Sequence, residues 1–123
     1  MKNNVYGISQ KLLALFLVLV SASVYSADRK LMELRTCMAS EFALIVLDHA
    51  DKSKSYEENL KIGKRFGYVI GDIYKEAIWS MDDPESAAID IMTFAMESGQ
   101  SRAELMPRSS LKRDVDRCRA KFR

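Results

Sequence analysis

Cys37 and Cys118 are the only cysteines in the chain. A bond between them would enclose most of the sequence, so the compartment in which the chain folds constrains it first. Disulfides persist in oxidising compartments and are rare in the cytosol. The N-terminus points to export. Lys2 and Lys11 accompany the apolar run LLALFLVLV, Leu12–Val20, and SASVYSA follows. That is the charged, apolar and small-residue order of a secretory signal peptide. Val24 and Ser26 suit cleavage before Ala27, so residues 1–26 are expected to be removed and residues 27–123 to form a single helical domain in the periplasm. Nine apolar residues in a row fall well short of the roughly 20 that span a bilayer, so no membrane insertion is expected after removal.

With Lys2 and Lys11 gone, 17 basic residues face 17 acids and the mature chain is formally neutral. Nucleic-acid binders usually carry a basic excess, so that class is disfavoured. The charge is still segregated. Glu76–Glu97 holds six acids and no Lys or Arg, whereas Arg102–Arg123 holds eight basic residues and three acids. Such blocks form solvated faces that attract one another, or a partner surface. An intrachain Cys37–Cys118 bridge would close a loop of about 80 residues, worth roughly 4 kcal/mol. A cross-chain bridge and two buried thiols remain open at this point.

Helical periodicity runs through the mature chain. Leu31, Leu34, Met38, Phe42 and Ile45 recur at three and four, giving a first helix from Asp28 to His49. DKSKS interrupts the pattern, and Ser55 with Glu58 forms a capping box opening a second helix that runs to about Trp79. Asp83 and Pro84 are an N-cap and first helical residue, and Gly99 suits the end of that third helix. Its many apolar residues, Ala88 to Met96, predict that it is the central, most buried one. Ser101 and Glu104 suggest a short capped turn before Pro107; Leu111, Val115, Cys118 and Phe122 define a last helix with a basic outer face. No strand alternation appears, so the expected fold is all-α, a small bundle of four main helices with one disulfide.

Two features of the second helix ask for a partner. Gly63, Gly67 and Gly71 lie four residues apart, and each glycine costs about 1 kcal/mol relative to Ala in a helix interior. The surrounding Lys61, Lys64, Arg65 and Asp72 exclude a membrane-packing motif. The row predicts close approach of another helix of the same chain, or of the same helix in a homodimer. On the other side, Tyr68, Asp72, Lys75 and Trp79 are spaced by four, three and four. In a regular helix they line one face, which continues into Asp82 and Asp83. A covering loop accounts for two aromatics there; so does a protein interface, where Trp and Tyr are enriched.

Catalytic chemistry finds little to stand on. His49, the single histidine, reads as a helix-end or core residue. One histidine and a cysteine pair expected to be oxidised give no zinc or nucleophile constellation. Asp82 and Asp83 are adjacent, and Asp83 is explained as a cap. The methionines read as core filler. We expect no enzyme, no cofactor and no metal.

A cleaved signal, a short helical mature chain, RTCMASEFA in the first helix and DVDRCRAKF in the last resemble the small periplasmic immunity proteins of type VI secretion systems. The resemblance implies a helical build, one disulfide and frequent dimerisation. It also implies the function: binding a secreted cell-wall hydrolase, an amidase or lysozyme-like effector, and blocking its cleft. Tyr68, Asp72, Lys75, Trp79, Asp82 and Asp83 are the expected contact surface. A periplasmic acid-stress chaperone and an envelope-complex structural subunit are the alternative readings.

Overall fold

A computed structural model describes residues 29–49 and 55–123. The expected signal segment and the DKSK part of the interrupting DKSKS stretch lie outside the described residues. Residues 31–123 form one compact unit. Its helices are α1 (residues 29–48), α2 (Tyr56–Tyr68), a π-helical turn (Val69–Ile73), α3 (Lys75–Trp79), α4 (Pro84–Leu105) and α5 (Arg108–Phe122). There is no strand among the described residues, and the fold is all-α.

Helix starts follow the sequence closely. Ser55 Oγ accepts from Glu58 N at 3.3 Å to cap α2. Asp83 caps α4, its Oδ1 accepting from Ser86 N at 3.2 Å, and Pro84 opens the helix where a missing N–H costs nothing. At the far end of α4 Met106 is extended, as the residue before a proline prefers, and the chain turns through Pro107 into α5.

The central helix is α1, not α4. Residues 37–43 of α1 are buried without interruption, around its whole circumference. Small side chains at Ala39, Ser40 and Ala43 let neighbours approach from several sides. In α4 only the row Ala87, Ile91, Ala95 and Gly99 is buried; Ile89 is 67% exposed, and Met92 and Met96 also face outward. Counting apolar residues overestimated that helix, because its large ones lie on the outer side of a narrow small-residue stripe.

Gly99 does not end α4. It lies inside the helix, which continues through Ser101 and Glu104 as one element, so no separate capped turn forms. A β-carbon at Gly99 would stand 2.6 Å from Phe42 Cδ1. Close packing against α1 explains this glycine better than a helix stop does.

Cys37 and Cys118 are bonded within the chain, Cα atoms 5.7 Å apart, and both are buried. The bridge ties α1 to α5 across 81 residues. The cross-chain and free-thiol alternatives are thereby removed. Between α1 and α2, Phe42 and Phe66 meet edge to face with ring centroids 5.0 Å apart, a preferred aromatic geometry.

Candidate functional site

The second helix is broken, and the cause lies in the core. Glu41 falls on the inner stripe of α1 between Met38 and Ile45 and is 2% exposed. A buried carboxylate is costly unless it is paired and hydrogen-bonded. Arg119 Nε and Nη2 donate to it at 2.8 and 2.7 Å, a two-pronged charge-assisted contact. The third donor is the hydroxyl of Tyr74 at 2.9 Å, a fully buried side chain. Burial, the Glu41 charge and this bond all oppose ionisation and push the Tyr74 phenol far above its usual range. The hydrogen bond to Glu41 likewise raises the Arg119 guanidinium against the effect of its partial burial.

Buried residues along this segment run Phe66, Val69, Tyr74, Ala77 and Ile78. The step of five from Val69 to Tyr74 is the π turn, closed by Tyr74 N donating to Val69 O at 3.2 Å. Tyr74 itself leaves the helical region, with ψ at 5°. An α-helix turns about 100° per residue, so one extra residue rotates everything beyond it by about that angle.

This corrects the single straight face expected for Tyr68, Asp72, Lys75 and Trp79. Tyr68 ends α2, Asp72 lies in the π turn, and Lys75 and Trp79 bound α3. All four are exposed, Tyr68 by 64% and Trp79 by 62%, as are Asp82 and Asp83. Neither aromatic is covered by another described segment. Asp72, Lys75 and Asp82 form no ion pair among the described residues. Asp83 is committed to its cap: the bonds from Ser86 N and, at 2.9 Å, Ser86 Oγ hold its carboxyl below the usual range.

The glycine row also needs correction. Gly63, Gly67 and Gly71 are exposed, and a β-carbon on any of them would meet nothing within 4 Å. Among the described residues, no helix packs there. The inner face of α2 is set by Ile62 and Phe66 and continues into Val69 of the π turn, and each of the first two glycines sits one residue, about 100°, around from it. Exposed Tyr56 and Leu60 lie on the same helix, and with Gly63 and Lys64 they border a shallow recess of about 360 Å³.

A larger cleft, about 480 Å³, opens between α1, α2 and α5. Its floor is apolar, with Leu44 and Ile45 from α1 and Val69 and Ile73 from the π turn. Its polar edge carries Lys64, Arg65, Arg119 and Asp48, with exposed Tyr68 at the mouth; Glu41, buried and bonded to Arg119, also lines it. Asp48 accepts from Arg108 at 2.6 Å and Arg65 at 3.0 Å. Partial burial alone would raise its carboxyl, but the two guanidinium bonds outweigh it and hold the group below its usual range.

His49 closes this corner. Its Nδ1 lies 2.9 Å from Glu58 Oε2 and its Nε2 3.4 Å from Arg65 Nη1. Its two ring nitrogens face a carboxylate on one side and a guanidinium on the other. The histidine thus stands buried at the end of α1, tied to α2. No cluster of three His, Cys, Asp or Glu among the described residues has metal-binding geometry, and no described helix is long and apolar enough to cross a membrane.

Sequence reasoning missed Glu41, Arg119 and the cleft. The available signal was Glu41 itself, a charge on an apolar stripe at spacings of four, three and four from Leu34 to Ile45. No protein-family model matches the chain, and neither does any curated protein or solved structure.

Proposed function

We propose that the mature chain is a periplasmic inhibitor, an immunity protein that binds a secreted peptidoglycan-degrading effector and blocks it. One observation carries the reading: Tyr68 and Trp79 stand exposed in a segment whose Asp72, Lys75 and Asp82, also exposed, form no ion pair among the described residues. Other charges hold helices together, as in Arg35–Asp90, Asp48–Arg65 and Glu41–Arg119. Exposed aromatics flanked by unspent charge have the composition of a binding hot spot. The disulfide-tied scaffold presents them with little ordering left to lose on association. The resemblance at the signal and cysteine segments supports the class of partner. The outward glycine row, against which no described residue packs, leaves room for the proposed homodimer through α2.

The test is calorimetric titration of the mature protein against a wall hydrolase encoded beside it, together with a wall-lysis assay. Stoichiometric inhibition is expected, and Trp79→Ala should weaken binding by about 2 kcal/mol, roughly 30-fold. Absence of binding by the wild type discards the reading; unchanged affinity of the variant discards the surface.

One observation favours a second reading, an acid-stress chaperone. Ion pairs join α1 to α2, α4 and α5 through Asp48, Asp90, Glu41 and Glu33. Protonation of Asp48 and Asp90 would loosen the Asp48 pairs with α2 and α5 and the Asp90 pair with α1, and bare apolar surface. Binding of an apolar dye and suppression of client aggregation in acid, without hydrolase inhibition, would favour that reading.

A further inference from the structure

We infer that the cleft between α1, α2 and α5 is a docking site for one apolar side chain with a carboxylate beside it, presented by a loop of a protein partner. The floor of Leu44, Ile45, Val69 and Ile73 calls for an apolar group, and the space of about 480 Å³ falls in the range of ligand-sized cavities. The edge supplies the second half of the specification. Both carboxylates of the lining are already bonded, Glu41 by Tyr74 and Arg119, and Asp48 by Arg65 and Arg108. Lys64, exposed on α2, has no acidic partner among the described residues. The unspent charge at the edge is therefore positive.

A wholly apolar occupant would strip water from Lys64 and give nothing back. A basic one would meet Lys64, Arg65 and Arg119 together. A carboxylate next to the apolar group meets Lys64 and leaves the existing pairs intact, which is the complementary arrangement. Tyr68 at the mouth adds an aromatic wall and a hydroxyl with no partner among the described residues. The π turn matters twice here. Its register brings Tyr74 to Glu41 in the core, and Val69 and Ile73, at its two ends, line the floor.

The inference rests on the inhibitor reading only for who supplies the loop, so the test uses no hydrolase. Three blocked tripeptides, Asp-Leu-Asp, Asn-Leu-Asn and Lys-Leu-Lys, are titrated into nitrogen-labelled mature protein while amide chemical shifts are followed. The acidic peptide should move the amides of Leu44, Arg65, Val69 and Ile73 saturably, the neutral one less, and the basic one not at all. Lys64→Glu should weaken the acidic peptide roughly tenfold. Lys112→Glu, a charge reversal at an exposed α5 position that does not line the cleft, should leave it unchanged. Absent shifts at those amides, equal shifts with all three peptides, or indifference to Lys64→Glu would overturn the site and leave the inhibitor reading to the lysis assay. Peptide binding at the cleft without hydrolase inhibition would uphold the site and remove that reading.

Discussion

Gly99 of α4 faces Phe42 of α1 with no room between them: a β-carbon added to it would lie 2.6 Å from Phe42 Cδ1 and 3.0 Å from the Ala39 carbonyl oxygen. A ring can tilt, but a helical carbonyl has nowhere to go. Gly99→Ala should therefore destabilise by about 1–3 kcal/mol, as overpacking does, although replacing a glycine in an open helix gains about 1 kcal/mol. A thermal scan checks this, each kcal/mol being worth about 4–8 °C at this size. A raised midpoint would mean that α1 and α4 separate there at little cost.

Gly67 should give the opposite sign. Nothing lies within 4 Å of its missing β-carbon, so Gly67→Ala should stabilise the single chain by up to about 1 kcal/mol. If two copies meet on this row, Gly67→Leu should convert a sedimenting dimer into a monomer without lowering the thermal midpoint of the fold. A wild type that sediments as one chain ends the dimer proposal.

Tyr74 predicts an alkaline limit. Its phenol is pushed up by burial and by Glu41, so the folded state holds that proton more tightly than the unfolded chain does. The stabilisation is then fully present below about pH 10, the ordinary tyrosine value, and is lost as pH rises through the folded-state value. Tyr74→Phe removes one donor from buried Glu41 and should cost about 1–3 kcal/mol near neutral pH. Denaturant midpoints at neutral and strongly alkaline pH should show the gap between wild type and variant narrowing. A constant gap would mean that Tyr74 contributes only its ring.

Acid should act through the helix seams. Partial burial of Asp48 is outweighed by its Arg108 and Arg65 bonds, and the Arg35 bond dominates at Asp90, so both carboxyls are held low. Depressed values give stability that is present above the ordinary carboxyl pKa of about 3.9 and is lost as pH falls through the folded-state values. Asp90→Asn should therefore flatten the loss of stability below about pH 4 while lowering the neutral-pH plateau. Circular dichroism melts across that range measure it; a slope identical to wild type would assign the acid response to other groups.

Local rules carried the sequence reading where local chemistry decided the structure. Ser55, Asp83 with Pro84, and Pro107 mark boundaries through their own side chains and rings, and they stand where expected. The cysteine pair was legible because two cysteines allow one intrachain bond. The π turn was hidden because both phases of the helix are apolar: Ile70 and Ile73 suit a regular helix as well as Tyr74 suits the shifted one. A partner 33 residues away, Glu41, makes the choice. Gly99 misled for a related reason, since glycine prefers helix ends and only a neighbour on another helix makes it necessary inside one. The cleft draws its charges from α1, α2 and α5, a juxtaposition that no window along the chain contains.

The Cys37–Cys118 bond joins the first described helix to the last. A pull applied to the two ends of the chain is therefore borne by a covalent link before it reaches the helices between the cysteines, and the 81-residue span between the sulfurs does not lengthen under load. The same topology governs cutting. A protease that severs the α1–α2 connection leaves two pieces that still migrate as one until the bond is reduced, with Glu41 on the first piece and Tyr74 and Arg119 on the second. The molecule resists tension and a single nick by connectivity, independently of how tightly its core is packed.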